Sequence, residues 1–366
     1  MCCRTQHNFM HKKDKNVASI HILFGRMRVF PYFCSIIDIK RTSMELIILI
    51  GQFLIGLLAI IKGADWMTDG ASAVARRFGI STLVIGMTIV AIGSSAPEFV
   101  VSAMSALKGN TEMAIGNVVG SNIFNILSIM GATALVAPIA ASKGNIRYDV
   151  PFVLLSSIAV AIACLDNFIG DGGICTISRS EGMLMLCIFA IFISYTIAIA
   201  KKDSNNEATD EMESKPIMPV WKSAIWIVGG LACLIIGGDM MVDGASGIAT
   251  MMGVSQAIIA LTIVSIGTSA PELAASMMAA KKGDTAMALG NIVGSVVFNV
   301  FFVLGTSAAI CPLELGNISL VDIITLILAS CLLWVFCKHH HALVRWEGVV
   351  LILIQVIYYV FLIYNE

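Results

Sequence analysis

Apolar positions along this chain gather into ten runs, at roughly 45 to 62, 82 to 107, 113 to 138, 149 to 165, 182 to 200, 221 to 241, 254 to 280, 286 to 311, 318 to 337 and 347 to 364. Each is long enough to cross a hydrocarbon core of about 30 Å as a helix. Short polar turns separate them. The pattern predicts an all-α integral membrane fold of ten transmembrane helices. Two runs, the second and the seventh, carry a proline beside a glutamate: AIGSSAPEFVVS holds Pro97 and Glu98, and SIGTSAPELAAS holds Pro271 and Glu272. Proline has no N–H to donate and its ring pushes aside the carbonyl four residues back, that of Gly93 or Gly267, so both helices are predicted to be discontinuous.

The two motifs belong to a longer repeat. Shifting the chain by 174 residues lays GADWMTDGASAVARRFGIS over GGDMMVDGASGIATMMGVS, and 24 of 38 positions match between the stretches Thr88–Asn125 and Thr262–Asn299. Five spans per half is an odd number, so the second half enters the membrane in the opposite sense. The expected organisation is two inverted five-helix repeats, residues 44–200 and 221–366, joined by a polar, acid-rich linker at 201–220. Inverted repeats with a site at their midplane interface recur among secondary transporters.

Composition agrees. The chain is 58% hydrophobic and 13% charged, with a mean hydropathy of +0.89, where soluble domains carry about 25% charge. A net charge of -1 without a basic patch excludes nucleic acid as a partner. One set of loops holds Arg76, Arg77, Lys143, Arg147, Lys201, Lys202, Lys215, Lys222, Lys281, Lys282, Lys338 and Arg345, and the opposite set only Lys108 and Arg179. That bias places the first set and the linker in the cytoplasm and both ends of the bundle outside, in the plasma (inner) membrane if the source is bacterial. Residues 1–43 put eight positive charges on the wrong side, so they read as a non-native or disordered extension before a start at Met44. The ten cysteines show no CxxC pair and read as small buried hydrophobes, with Cys164 and Cys175 close enough in the pattern to meet.

An unpaired carbonyl in hydrocarbon is costly, so a broken span persists where protein, water or an ion supplies a partner. An intramembrane acid marks an ion path or proton relay. The two motifs together offer the carboxylates of Glu98 and Glu272, the hydroxyls of Ser94, Ser95, Thr268 and Ser269, and carbonyls of the opened turns at Ala91 and Ser265. The third and eighth spans add GNVVGSNIFN and GNIVGSVVFN, with Ser121, Asn125, Ser295 and Asn299 as further oxygen donors. Hard oxygen ligands in this number suit Ca²⁺, which takes 6 to 8, and also Na⁺. Gly116, Gly120, Gly290 and Gly294 form small-xxx-small pairs explained by close helix packing. Asp65, Asp69, Asp239 and Asp243 fall near span ends as interfacial acids or partners of neighbours such as Lys62.

At these residues the chain resembles the cation/calcium exchanger superfamily, in its sodium/calcium exchanger branch of prokaryotic type. GSSAPE and GTSAPE, each followed by GN(V/I)VGS, are similar to that branch's two alpha repeats. The resemblance covers the chain from Met44 onward. It implies that the twelve residues named above hold one Ca²⁺ or about three Na⁺ in alternation, and that the first and sixth helices slide across the core. Potassium-dependent members usually have an aspartate where this chain has Asn299, so potassium-independent exchange is expected.

The expected function is secondary active antiport of Na⁺ for Ca²⁺ by alternating access, with the lipid bilayer as surroundings, no cofactor beyond the transported ions and no obligate protein partner. A proton-coupled calcium exchanger is the alternative, since a buried glutamate can carry a proton. An intramembrane hydrolase is disfavoured because all six histidines lie outside the spans and no HExxH occurs. A passive channel fits an inverted pair of broken helices less well.

Overall fold

The computed structural model describes residues 30–169, 176–206, 218–252, 265–314 and 318–365. The chain divides into two units, Met1–Leu49 and Ile50–Glu366; the architecture below is that of the second, apart from the start of its first helix. The helices are α1 (Phe30–Phe78), α2 (Thr82–Ser94), α3 (Ala96–Leu107), α4 (Thr111–Val136), α5 (Val150–Ile169), α6 (Arg179–Asn206), α7 (Val220–Met251), α8 (Ser265–Thr268), α9 (Ala270–Lys281), α10 (Thr285–Ile310), α11 (Leu320–His340) and α12 (Arg345–Asn365). Among the described residues eight are long and apolar enough to span a membrane, and α2 with α3 forms a ninth, bent by 48°. The tenth expected span, 254–280, lies partly outside the described residues.

Helices α1 and α7 depart from their expected lengths. The first apolar run was expected to end near residue 62, but α1 continues to Phe78, and α7 runs ten residues past 241 to Met251. Neither GADWMTDGASAVARRF nor DMMVDGASGIATM contains a proline, and their small residues pack inward, so nothing stops the helix where the hydropathy falls. At 1.5 Å per residue the 32 residues of α7 reach about 48 Å, longer than the hydrocarbon is thick, so the helix must tilt or project. Among the described residues α1 is already helical at Phe30, upstream of Met44. Cys164 and Cys337 are buried, as expected of small hydrophobes, whereas Cys187 is exposed and Cys233, Cys311 and Cys331 are half-buried; Cys175 lies outside the described residues.

Burial sorts the helices into centre and periphery. In the most apolar window of α4, 78% of residues are buried by the protein itself, and in α10 94% are, against 11% in α1 and 22% in α7. A membrane helix shielded on all sides is a core element, and α4 and α10 form that core. Val118, Ile126, Val293, Val297 and Val300 are fully covered there.

The two peripheral helices α1 and α7 meet through small residues. A Cβ added at Gly63 would lie 2.6 Å from the Gly230 carbonyl, and one at Gly56 2.6 Å from the Gly237 carbonyl. Positions ascending along α1 thus face positions descending along α7, so the two helices run antiparallel in backbone contact.

Turn chemistry repeats in the two halves. Gly109 and Gly283 adopt positive φ of 75° and 85° after α3 and α9, a conformation glycine reaches without a Cβ penalty. Asn110 and Asp284 then cap α4 and α10, accepting the Met113 and Met287 N–H at 3.3 and 3.0 Å. Four two-residue strands close the ends. They are β1 (Ile139–Ala140), β2 (Thr176–Ile177), β3 (Leu313–Glu314) and β4 (Ala342–Leu343). β1 pairs antiparallel with β4, Ile139 facing Leu343, and β2 with β3, Ile177 facing Leu313. Each small sheet therefore ties a loop of the first half to a loop of the second.

Candidate functional site

The sequence Ser-x-x-Glu at the head of a helix ordinarily forms a capping box, in which the serine hydroxyl takes an N–H of its own helix. Ser95-Ala96-Pro97-Glu98 opens α3 and Ser269-Ala270-Pro271-Glu272 opens α9, with proline in the first turn, where its missing N–H costs nothing. Neither serine caps its own helix. Instead, the Ser95 hydroxyl donates to Glu272 Oε1 at 2.7 Å, and the Ser269 hydroxyl donates to Glu98 Oε1 at 3.0 Å. The two breaks, at Ser95 (φ −83°, ψ 10°) and Ser269 (φ −90°, ψ 7°), have nearly the same backbone geometry. Two carboxylates from opposite halves thus converge, each held by the serine preceding the other.

The core helices supply the walls. Asn117 Nδ2 donates to the Glu98 carbonyl at 3.2 Å and to Ser102 Oγ at 2.9 Å; Asn291 Nδ2 donates to the Glu272 carbonyl at 3.4 Å and to Ser276 Oγ at 2.8 Å. These bonds set the face of α4 and α10 that looks at the glutamates. Positions one and two turns further on the same face are Ser121 and Asn125 in α4 and Ser295 and Asn299 in α10. Asn125 and Asn299 each begin a π-helical turn, Asn125–Ile129 and Asn299–Leu304, a local widening common at functional sites.

Six oxygens there are buried without a hydrogen-bond partner: Glu98 Oε2, Glu272 Oε2, Ser121 Oγ, Ser295 Oγ, Asn125 Oδ1 and Asn299 Oδ1. Both glutamates are fully buried, and neither takes part in an ion pair among the described residues. An uncompensated buried carboxylate costs several kcal/mol, so the arrangement requires positive charge to be delivered to it. Six unpartnered oxygens with two negative charges match the lower end of calcium coordination.

Other expected ligands are placed differently. The Ala91 carbonyl is not opened: it accepts the Ser95 N–H at 3.0 Å and the Ser94 hydroxyl at 3.3 Å. The helix breaks at Ser95 itself, so the turn before it still closes. Ser94 also donates to Asn291 Oδ1 at 3.3 Å. Ser265 begins α8 at the edge of the described residues. Asp65 pairs with Lys282 at 2.6 Å rather than with Lys62, and Asp69 joins at 2.9 Å. Asn117, Asn291, Ser102 and Ser276 were not expected at the site, although all four match across the 174-residue repeat, which was the available signal.

A family model described as Sodium/calcium exchanger protein matches residues 48–198 and 222–364. The chain belongs to this family. Sodium/calcium exchanger MaX1 from Methanosarcina acetivorans is 30% identical over 343 residues, covering 85% of this chain and 97% of that protein. Inner membrane protein YrbG from Escherichia coli is 32% identical over 73% of this chain and 81% of its own length. A solved structure of the sodium-calcium exchanger NCX_Mj superposes with a TM-score of 0.72 at 32% identity, covering 85% of this chain and 98% of that one. Membership of this exchanger family identifies an integral membrane transporter of the cation/calcium antiport class rather than an enzyme.

Proposed function

We propose that the pocket between α3, α4, α9 and α10 is the transport site of a potassium-independent Na⁺/Ca²⁺ antiporter built from ten spans in two inverted five-helix repeats. The observation that carries this reading is the set of six unpartnered buried oxygens around two cross-linked glutamates. One Ca²⁺ neutralises the two carboxylates, and so do Na⁺ ions taken singly into the same oxygens; both sets together overload the pocket with positive charge. Competition for one anionic site is then the coupling. Exchange of three Na⁺ for one Ca²⁺ moves one net charge, worth about 2.3 kcal/mol at 100 mV. Helices α1 and α7, in backbone contact with each other and largely uncovered by the core, are the elements proposed to slide. Glu98 and Glu272 act as shared ligands, with Ser95, Thr268 and Ser269 orienting them and Ser121, Asn125, Ser295 and Asn299 completing the shell. Ser94 releases the Ala91 carbonyl when it turns to an ion, and Ser265 is the corresponding position in the second half. The loops rich in lysine and arginine face the cytoplasm in this reading.

Vesicles loaded with sodium and diluted into sodium-free buffer are expected to take up ⁴⁵Ca²⁺, with no requirement for potassium, and Glu98→Gln and Glu272→Gln are expected to abolish uptake. Uptake driven by a pH gradient instead of a sodium gradient would assign the same pocket to proton coupling. Uptake that survives either substitution would remove the site.

A further inference from the structure

The two core motifs, GNVVGSNIFN and GNIVGSVVFN, differ in polarity at a single position: Asn122 in the first half stands where the second has Val296. Asn122 is fully buried. Its Nδ2 donates to the Val296 carbonyl at 3.2 Å, and its Oδ1 accepts Asn299 Nδ2 at 3.2 Å. That second bond decides which end of the Asn299 amide faces where. With its NH₂ held by Asn122, Asn299 is left with an oxygen that has no other partner. Across the repeat the corresponding support is missing, because valine has no acceptor, and neither amide atom of Asn125 is bonded.

We infer that Asn122 is a positioning residue that holds the Asn299 carboxamide oxygen toward the ion, so that the two halves of the pocket are unequal, Asn299 being pre-oriented and Asn125 free to turn. The inference rests on the ion site proposed above. A carboxamide offers a cation an oxygen in one flip and a positively polarised NH₂ in the other. Apparent affinity scales with the fraction of protein in the competent arrangement, so losing the anchor halves it through the flip alone and lowers it further as side-chain rotamers open. A carboxylate presents oxygen in either flip and needs no such anchor.

The test is a double-substitution cycle in reconstituted vesicles and purified protein, comparing the parent, Asn122→Val, Asn299→Asp and the combination. Asn122→Val, which copies the other half, is expected to raise the Ca²⁺ half-saturation about three- to tenfold with the maximum rate little changed. In the Asn299→Asp background the same change is expected to shift it less than about twofold. Equilibrium ⁴⁵Ca²⁺ binding to the purified proteins reads the same cycle if Asn299→Asp turns over slowly, and Asn122→Ala repeats it without a branched side chain. Equal shifts in both backgrounds would mean that Asn122 serves packing only and would overturn the inference. A parent that neither transports nor binds Ca²⁺ would overturn the proposed function itself, and with it this role for Asn122.

Discussion

Gly294 lies one residue before Ser295 and five before Asn299, where α10 presses on α2. A Cβ built there would meet the Met87 carbonyl oxygen at 2.6 Å and both the Ala91 Cβ and the Met87 Cα at 2.7 Å. Ordinary van der Waals contact begins at 3.4 Å, and two of these atoms are backbone and the third is held close to it, so none can swing away. Gly294→Ala must therefore separate the two helices locally by about 0.8 Å, the difference between 3.4 and 2.6 Å. Calcium–oxygen distances span only about 0.3 Å, from 2.3 to 2.6 Å. The imposed displacement exceeds that tolerance more than twofold, and Ser295 and Asn299 move with the helix that is displaced. Overpacking costs about 1–3 kcal/mol, and about 1.4 kcal/mol of that falling on the ion site raises the Ca²⁺ half-saturation tenfold. The assay is sodium-driven ⁴⁵Ca²⁺ uptake across a range of calcium concentrations, with monodispersity checked by size exclusion. Gly229→Ala is the control, since a Cβ there meets nothing within 4 Å. A monodisperse Gly294→Ala protein with half-saturation within about twofold of the parent would refute the claim that this contact sets the ion geometry.

Ser95→Ala and Ser269→Ala each delete a hydrogen bond to a carboxylate, worth about 1.5–3 kcal/mol. Their effects on calcium half-saturation should be alike, and a gap of more than about tenfold would contradict the reciprocal arrangement. Lys282→Gln releases Asp65 and Asp69 on α1, but these pairs are partly exposed and worth about 0.2–1 kcal/mol each. Together they are worth at most about 2 kcal/mol, so initial uptake rates should change less than about thirtyfold, with the difference shrinking as salt rises; a larger, salt-insensitive loss would show the lysine doing something else. Asp284 caps α10 and also accepts the Thr82 hydroxyl at 2.7 Å, so Asp284→Ala should lower stability by about 1–2 kcal/mol in thermal melts. Asp284→Asn should cost less, because asparagine caps α4 at the matching position, Asn110.

Much of the site was legible before any coordinates. The proline–glutamate pairs fell at Pro97, Glu98, Pro271 and Glu272, and the breaks occur within two residues of them because proline can begin a helix but cannot continue one. The oxygen donors of α4 and α10 were legible because a residue's face follows from its spacing: Ser121 and Asn125 share the side of Asn117, and Ser295 and Asn299 that of Asn291. Helix length was less legible. α1 and α7 outrun their apolar stretches because a helix ends where its backbone bonds or packing fail, and hydropathy reports neither.

Local sequence by itself determined the two helix breaks, the repeated motif and the oxygen-donor side chains beside them, since each depends on the few residues within one or two turns. Only the tertiary structure decided that Ser95 serves Glu272 and Ser269 serves Glu98 instead of each capping its own helix, that the Ala91 carbonyl stays bonded, and that Asn122 reaches Asn299. These outcomes turn on which donor stands nearest a given acceptor once segments some 170 residues apart are packed together, and a side chain with two available partners takes the one that packing brings within hydrogen-bond distance.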